Sequence, residues 1–173
     1  MFRQHGFDRG SISEIAKRAG LAEGALYTFY RSKKEILEAT ICQWYEVTLA
    51  DYKARYAEIS DPEKRLRFAI RHNLDCLCDD TAISNLYLML RRDEDFRSSR
   101  LIAFNKEYIG MMKRTIKELQ ALSHTKEPVE TSLIAATLYS LIETKSEPFR
   151  FGERKIDREE VTSQVFKVAK RLI

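Results

Sequence analysis

The side chains in this sequence with the makings of a metal site are His72, Cys76 and Cys78, with Cys42 further back. On one helix Cys76 and Cys78 diverge by about 200°, so chelation of a single ion by both is awkward. The set reads as ordinary half-buried thiols rather than zinc ligands. His5, His72 and His124 are far apart in the chain, and there is no H-E-x-x-H and no glycine-rich phosphate loop. No poised acid–base pair is visible either. The sequence therefore predicts no catalytic residue, no metal and no cofactor: the chain is not an enzyme. An odd number of cysteines, in a chain long enough to need no staples, predicts reduced thiols and a cytoplasmic protein.

What the sequence does concentrate is charge. Residues 1–34 carry seven basic and three acidic side chains, a net +4, while the rest hold 23 of each and sum to zero. A basic head predicts a polyanionic partner. Ser32-Lys33-Lys34-Glu35 matches a capping box, yet two lysines in a first turn are what the helix dipole alone disfavours. Lysines beside the open N–H groups of a helix start make a phosphate clamp; the alternative is a solvated charge cluster. Tyr27, next to apolar Leu26, can offer its hydroxyl to a phosphate or sit half-buried as a core aromatic.

The elements that must hold these groups are short and well punctuated. Ser11-Ile12-Ser13-Glu14 is another capping box. It starts a helix of about Ile12 to Arg18, with Ile12, Ile15, Ala16 and Ala19 inward. Gly20 sits where a left-handed C-terminal residue belongs, and Leu21 is expected to return apolar surface to the core. A second helix runs from Ala22 or Glu23 to Phe29, with Leu26 and Tyr30 inward. Two such helices around a glycine turn make a helix-turn-helix, whose second helix is narrow enough for the DNA major groove. An ordinary helical corner has the same pattern.

The run GFDRGSISEIAKRAGLAEGALYTFYRSKKEIL, from Gly6 to Leu37, resembles the TetR-type (tetracycline-repressor-like) transcriptional regulators. It keeps their order: glycine and aromatic, a capped helix with I-A-x-x-A-G, then G-x-L-Y-x-x-aromatic, then Ser32-Lys33. The resemblance implies a helix-turn-helix DNA-binding domain over residues 1–36 and an antiparallel helical ligand-binding and dimerisation domain over 37–173. It places Glu23, Gly24, Ala25, Tyr27, Thr28 and Phe29 on or beside the recognition helix. Lys33 matches a phosphate-contacting lysine, and Ser11 and Ser13 match a backbone-touching helix edge. Two departures stand out. Ala22 replaces the usual capping serine or threonine, at a cost of about 1 kcal/mol. A full helix normally precedes this unit, and Met1–His5 match only its end. Each missing core side chain would cost about 1.5–3 kcal/mol, so either the natural chain begins earlier or the head is marginally folded.

Beyond the head the composition is that of an ordinary globular protein: 173 residues, 20.2 kDa, 44% hydrophobic and 32% charged. Six glycines and three prolines are too few for a β-rich fold, so an all-α chain is expected. The stretch Thr131–Ile142 is uncharged but shorter than the roughly 20 residues a bilayer requires, and no apolar leader opens the chain. No membrane partner is expected.

Helical periodicity organises the body. Leu37, Ile41, Trp44, Tyr45, Leu49, Tyr52 and Tyr56 face inward from a helix ending near Ile59, and Asp61-Pro62 starts the next. A short helix spans Thr81 to Leu90, and Arg91–Arg100 reads as a surface corner. A long helix carries Leu101 to Leu119. Pro128 is expected to open another helix, a loop to hold Pro148 and Gly152, and Asp157 to cap the last helix.

A cavity in this body could be lined by Trp44, Tyr45, Tyr87, Met89, Phe104, Tyr108, Met111 and Met112, with His72 and Asn73 as polar members. Such residues at helical spacing are more often plain core. If a pocket exists, the lining favours an apolar or aromatic small-molecule effector over a sugar or phosphate. The uncharged circumference of Ser132–Ile142 asks for cover beyond one bundle face, most simply a second copy. The resemblance implies a homodimer through the last two helices, with Leu133, Thr137, Leu138, Leu141, Val161, Val165, Val168 and Leu172. Two recognition helices would then read palindromic double-stranded DNA with half-site centres about 34 Å or more apart. The expectation is a repressor released from its operator by its effector. A dimeric helical small-molecule-binding protein with impaired DNA binding is the alternative.

Overall fold

The computed structural model describes Phe7 and residues 11–91, 99–123 and 127–173. Expectations that fall on Met1–His5, His124 and residues 92–98 lie outside the described residues. Those described form eight helices and no strand: α1 (Ile12–Ala19), α2 (Glu23–Phe29), α3 (Lys33–Ala57), α4 (Pro62–Asp79), α5 (Thr81–Leu90), α6 (Ser99–Ser123), α7 (Thr131–Arg150) and α8 (Arg158–Leu172). None is long and apolar enough to cross a membrane.

Local chemistry sets most of these ends. Ser11, Ser32, Asp61, Asp80 and Asp157 each accept a backbone N–H in the first turn of α1, α3, α4, α5 and α8. Pro62 occupies the first turn of α4, where its missing N–H costs nothing. The second half of each head capping box differs from expectation. Glu35 reaches one residue further back, to the Arg31 N–H (2.5 Å), and Glu14 pairs with Arg18 (3.0 Å). Ala22 leaves α2 without a side-chain cap, as its lack of a polar atom dictates.

Three expectations about ends and faces are corrected. Pro148 lies inside α7, not in a loop. The carbonyl it deprives of an N–H belongs to Thr144, an exposed residue near the helix end that water can serve. The same helix begins at Thr131 rather than at Pro128. Leu21 is 48% exposed and Ala19 is exposed. Gly20 takes φ 68°, which closes α1 with the Leu21 N–H on the Ala16 carbonyl (2.9 Å). The close crossing of α1 and α2 needs Ala16 alone, which is 1% exposed against buried Leu26.

Two apolar clusters result. One joins Ala16 and Leu26 of the head to Ile36, Leu37, Ile41 and Cys42 of α3, Ile83, Leu86 and Leu90 of α5, and Leu101 of α6. The other joins the later half of α3 (Tyr45, Leu49, Tyr52) to α4, α6, α7 and α8. Trp44, Tyr87 and Phe104 pack against both. Helix α3 therefore runs unbroken from beneath the head into the wall of the body. Arg67, Arg71 and Arg158 add a polar seam between α4 and α8 through Asp75, Asp79 and Glu159.

Candidate functional site

In the head, α2 turns its apolar side to the core through Leu26 alone. The remainder points outward: Glu23, Gly24 and Thr28 are exposed, Tyr27 is 50% and Phe29 75% exposed, and Ala25 is half-buried. Phe29 thus contributes little to the core of the head. Thr28 Oγ1 donates to the Gly24 carbonyl (3.2 Å), leaving its lone pairs outward. Ser11 and Ser13 are exposed at the start of α1. Lys33 is half-buried, its ammonium 4.5 Å from the centre of the Phe7 ring, which holds a cation at the start of α3.

In the body, a cavity of about 300 Å³ opens between α3, α4, α5, α6 and α7. Helix α3 supplies Trp44, Tyr45 and Thr48; α4 supplies Asn73, Cys76 and Leu77; Tyr87 and Leu88 come from α5, with Arg91 just beyond it. Asn105, Tyr108, Ile109 and Lys113 of α6 and Ser132, Ala136, Tyr139, Ser140 and Glu143 of α7 complete the wall. Arg91 is paired with Glu143 across the mouth. Tyr45 Oη donates to Asn105 Oδ1 (3.2 Å), and Tyr45 stacks on Phe104 at 5.7 Å between ring centres. Five of the expected lining residues are thus brought together: Trp44, Tyr45, Asn73, Tyr87 and Tyr108. Phe104 and His72 stand one layer behind. Met89, Met111 and Met112 are corrections. Met89 is 48% exposed, whereas Met111 and Met112 are buried and fill the core beside Ile116 and Leu138.

Behind the wall lies a polar relay. His72 is buried, with Nδ1 2.8 Å from Tyr108 Oη and 3.4 Å from Cys76 Sγ, and Nε2 3.2 Å from Asp51 Oδ2 on α3. An ionised Asp51 only accepts, so the proton sits on Nε2, and Nδ1 accepts from the Tyr108 hydroxyl. Burial lowers the His72 pKa, partly offset by the Asp51 carboxylate, which keeps the ring neutral. Burial likewise pushes the Cys76 thiol up to about 12 and Cys78 up to about 11, and raises Tyr45, Tyr108 and Tyr139. These thiols are protonated and unreactive. Cys42 and Cys78 lie in different clusters. Among the described residues no three His, Cys, Asp or Glu side chains could hold a metal ion.

Residues 1–40 match the sequence model of "Bacterial regulatory proteins, tetR family". Along nearly its whole length, 97% of this chain and 87% of the relative, the chain is 26% identical to an uncharacterized HTH-type transcriptional regulator, YvdT, of Bacillus subtilis. Over residues 1–40 the chain is similar to the DNA-binding head of the tetR family. Two solved regulators share the fold. FadR of Bacillus subtilis in complex with stearoyl-CoA is 18% identical with a TM-score of 0.76, over 99% of this chain and 93% of that one. AibR in complex with isovaleryl coenzyme A and operator DNA is 16% identical with a TM-score of 0.74, over 96% and 90%.

Of the residues that the tetR resemblance assigns to a subunit interface, Leu138, Val161 and Val165 are spent inside their own subunit, at 0%, 9% and 2% exposure. They pack in the body's cluster and leave no surface for a second chain. Leu133 is 57% exposed, and Thr137, Leu141, Val168 and Leu172 are half-buried. Another face of α7, whose first twelve residues (131–142) are uncharged, is explained differently: Ser132, Ala136, Tyr139, Ser140 and Glu143 form its cavity stripe. Small and polar residues at i, i+4, i+7, i+8 and i+11 were the available sign of that stripe. Asn105 and Lys113 escaped notice because they sit beside, not on, the apolar stripe of α6.

Proposed function

We propose that the protein is a homodimeric repressor that reads palindromic double-stranded DNA through α2 of each copy and leaves it when a small apolar or acyl-bearing effector fills the cavity. Helix α3 is the observation that carries this reading. Its start packs under the head, and Trp44, Tyr45 and Thr48 further along it wall the cavity. An effector and a duplex therefore act on one rigid element. Glu23, Gly24, Ala25, Tyr27, Thr28 and Phe29 enter the groove, while Ser11, Ser13 and Lys33 meet phosphates. Glu23 faces a cytosine amino group, since a carboxylate beside phosphate is repelled.

The partner copy packs on the exposed parts of α7 and α8, Leu133, Thr137, Leu141, Val168 and Leu172. Pairing sets two recognition helices a fixed distance apart and raises affinity through effective concentration. The relatives solved with stearoyl-CoA and with isovaleryl coenzyme A support an acyl-bearing effector. The effector presses Tyr45 and Tyr108, and through His72 the latter is tied to Asp51 on α3. Release then follows from an effector that favours the spacing unable to bind DNA.

Selection of bound duplexes from a random pool tests this. The winner is expected to be a palindrome whose affinity falls steeply with salt and is lost in Tyr27→Ala and Lys33→Ala. Enrichment of no sequence, with a dimer that still binds apolar compounds, would replace this reading by that of a small-molecule-binding protein.

A further inference from the structure

The cavity does not end at its aromatic wall. A shallow groove of about 430 Å³ adjoins it, lined by Ile102, Asn105, Lys106, Ile109, Gly110 and Lys113. These positions are one stripe of α6, and Asn105, Ile109 and Lys113 belong to both spaces. Two observations give the groove a chemistry. Of the basic side chains nearby, Arg91 pairs with Glu143, Arg100 with Glu46 and Lys53 with Glu107, while Arg114 lies with its tip beside Gly110. Among the described residues Lys106 and Lys113, two turns apart on the stripe, have no carboxylate within ion-pair distance. The other observation is Gly110, in the interior of a helix of 25 residues, where glycine weakens the helix relative to alanine. Packing does not require it, because a Cβ there would meet only the tip of Arg114, at 3.6 Å. A bare backbone between two unpaired lysines suits a molecule that lies close against the helix.

The geometry points to an effector that is an anionic amphiphile: a short apolar body in the cavity and an acidic head laid over Gly110 between Lys106 and Lys113. This rests on the cavity being the effector site. A volume of about 300 Å³ is at the small end of ligand pockets, so the enclosed body is short. The head's charge can come from a free carboxylate or from the phosphates of a coenzyme A thioester.

Trp44 lines the cavity and is the sole tryptophan, so its emission reports occupancy directly. The probes are methyl hexanoate, hexanoate and hexanoyl-CoA, each at low and at high salt. The ester is expected to quench Trp44 regardless of salt. At least one anionic probe binds tenfold or more tighter at low salt, and which one does so identifies the head. Lys106→Gln with Lys113→Gln, and separately Gly110→Leu, bring that probe to the affinity of the ester and leave the ester unchanged. Gly110→Ala raises the melting temperature while weakening only the anionic probe. Equal affinity of ester and anions, or anion binding indifferent to these substitutions, overturns the proposal and leaves the cavity intact. A change of oligomeric state in the lysine variants also overturns it, by making the groove a contact between copies. Quenching by none of the probes removes the cavity reading and the proposal with it.

Discussion

The two halves of α3 make an instructive pair. Its first turns bury Ile36, Leu37 and Ile41 beneath a head whose second helix, α2, anchors itself by a single leucine and leaves Tyr27 and Phe29 in solvent. Its later turns bury Tyr45, Leu49 and Tyr52 in a body where aromatic residues line a cavity. The same helix thus backs an exposed surface and walls an enclosed space. A small head can leave these side chains in solvent because α3, together with α5 and α6, supplies most of its core.

That division can be broken by truncation. Leu37→Ala should cost about 2–5 kcal/mol. It should speed hydrogen exchange in α1 and α2 while α7 stays protected. Leu74→Ala, fully buried in the other cluster, should cost as much but open the body instead. Equal exchange patterns for the two variants would make the clusters one cooperative unit. Capping sharpens the contrast on a smaller scale. Ala22→Ser gives α2 its missing cap and should stabilise the head by about 1 kcal/mol, read as slower exchange in α2 with no change in α8.

Acid probes the body alone. His72 binds its proton more weakly when folded than when unfolded, so its contribution is fully present above the unfolded value of about 6.5. It is lost as pH falls from there toward the lowered folded value. Denaturant midpoints should therefore drop below about pH 6.5, and less so in His72→Gln. Smallest in stability are Tyr27→Ala and Phe29→Ala, expected within about 0.5 kcal/mol of the parent although duplex binding is lost.

Much of this architecture is legible in the residues. Capping boxes, Asp61-Pro62, Asp157 and the alternation of apolar positions mark the helices, because ends and stripes are local chemistry. Pro148 misleads because a proline near a helix end is tolerated where the freed carbonyl is exposed, and exposure is a tertiary fact. The cavity is half legible. Trp44, Tyr45, Tyr87 and Tyr108 announce themselves by type, while Met111 and Met112, equally soft, go to the core. Nothing in the sequence says which side of α6 the space will lie on. Leu138, Val161 and Val165 mislead for the same reason: apolar stripes on α7 and α8 mark burial without saying whose core does the burying.

The central claim is that α3 couples the DNA-reading head to the cavity, and Trp44 tests it without any knowledge of the effector. The selected duplex is titrated into the protein while DNA binding is followed by anisotropy and Trp44 by its emission. Coupling predicts a saturable change in Trp44 with the same midpoint as DNA binding, absent with unselected duplex. A duplex that binds to saturation while Trp44 emission stays constant would contradict it.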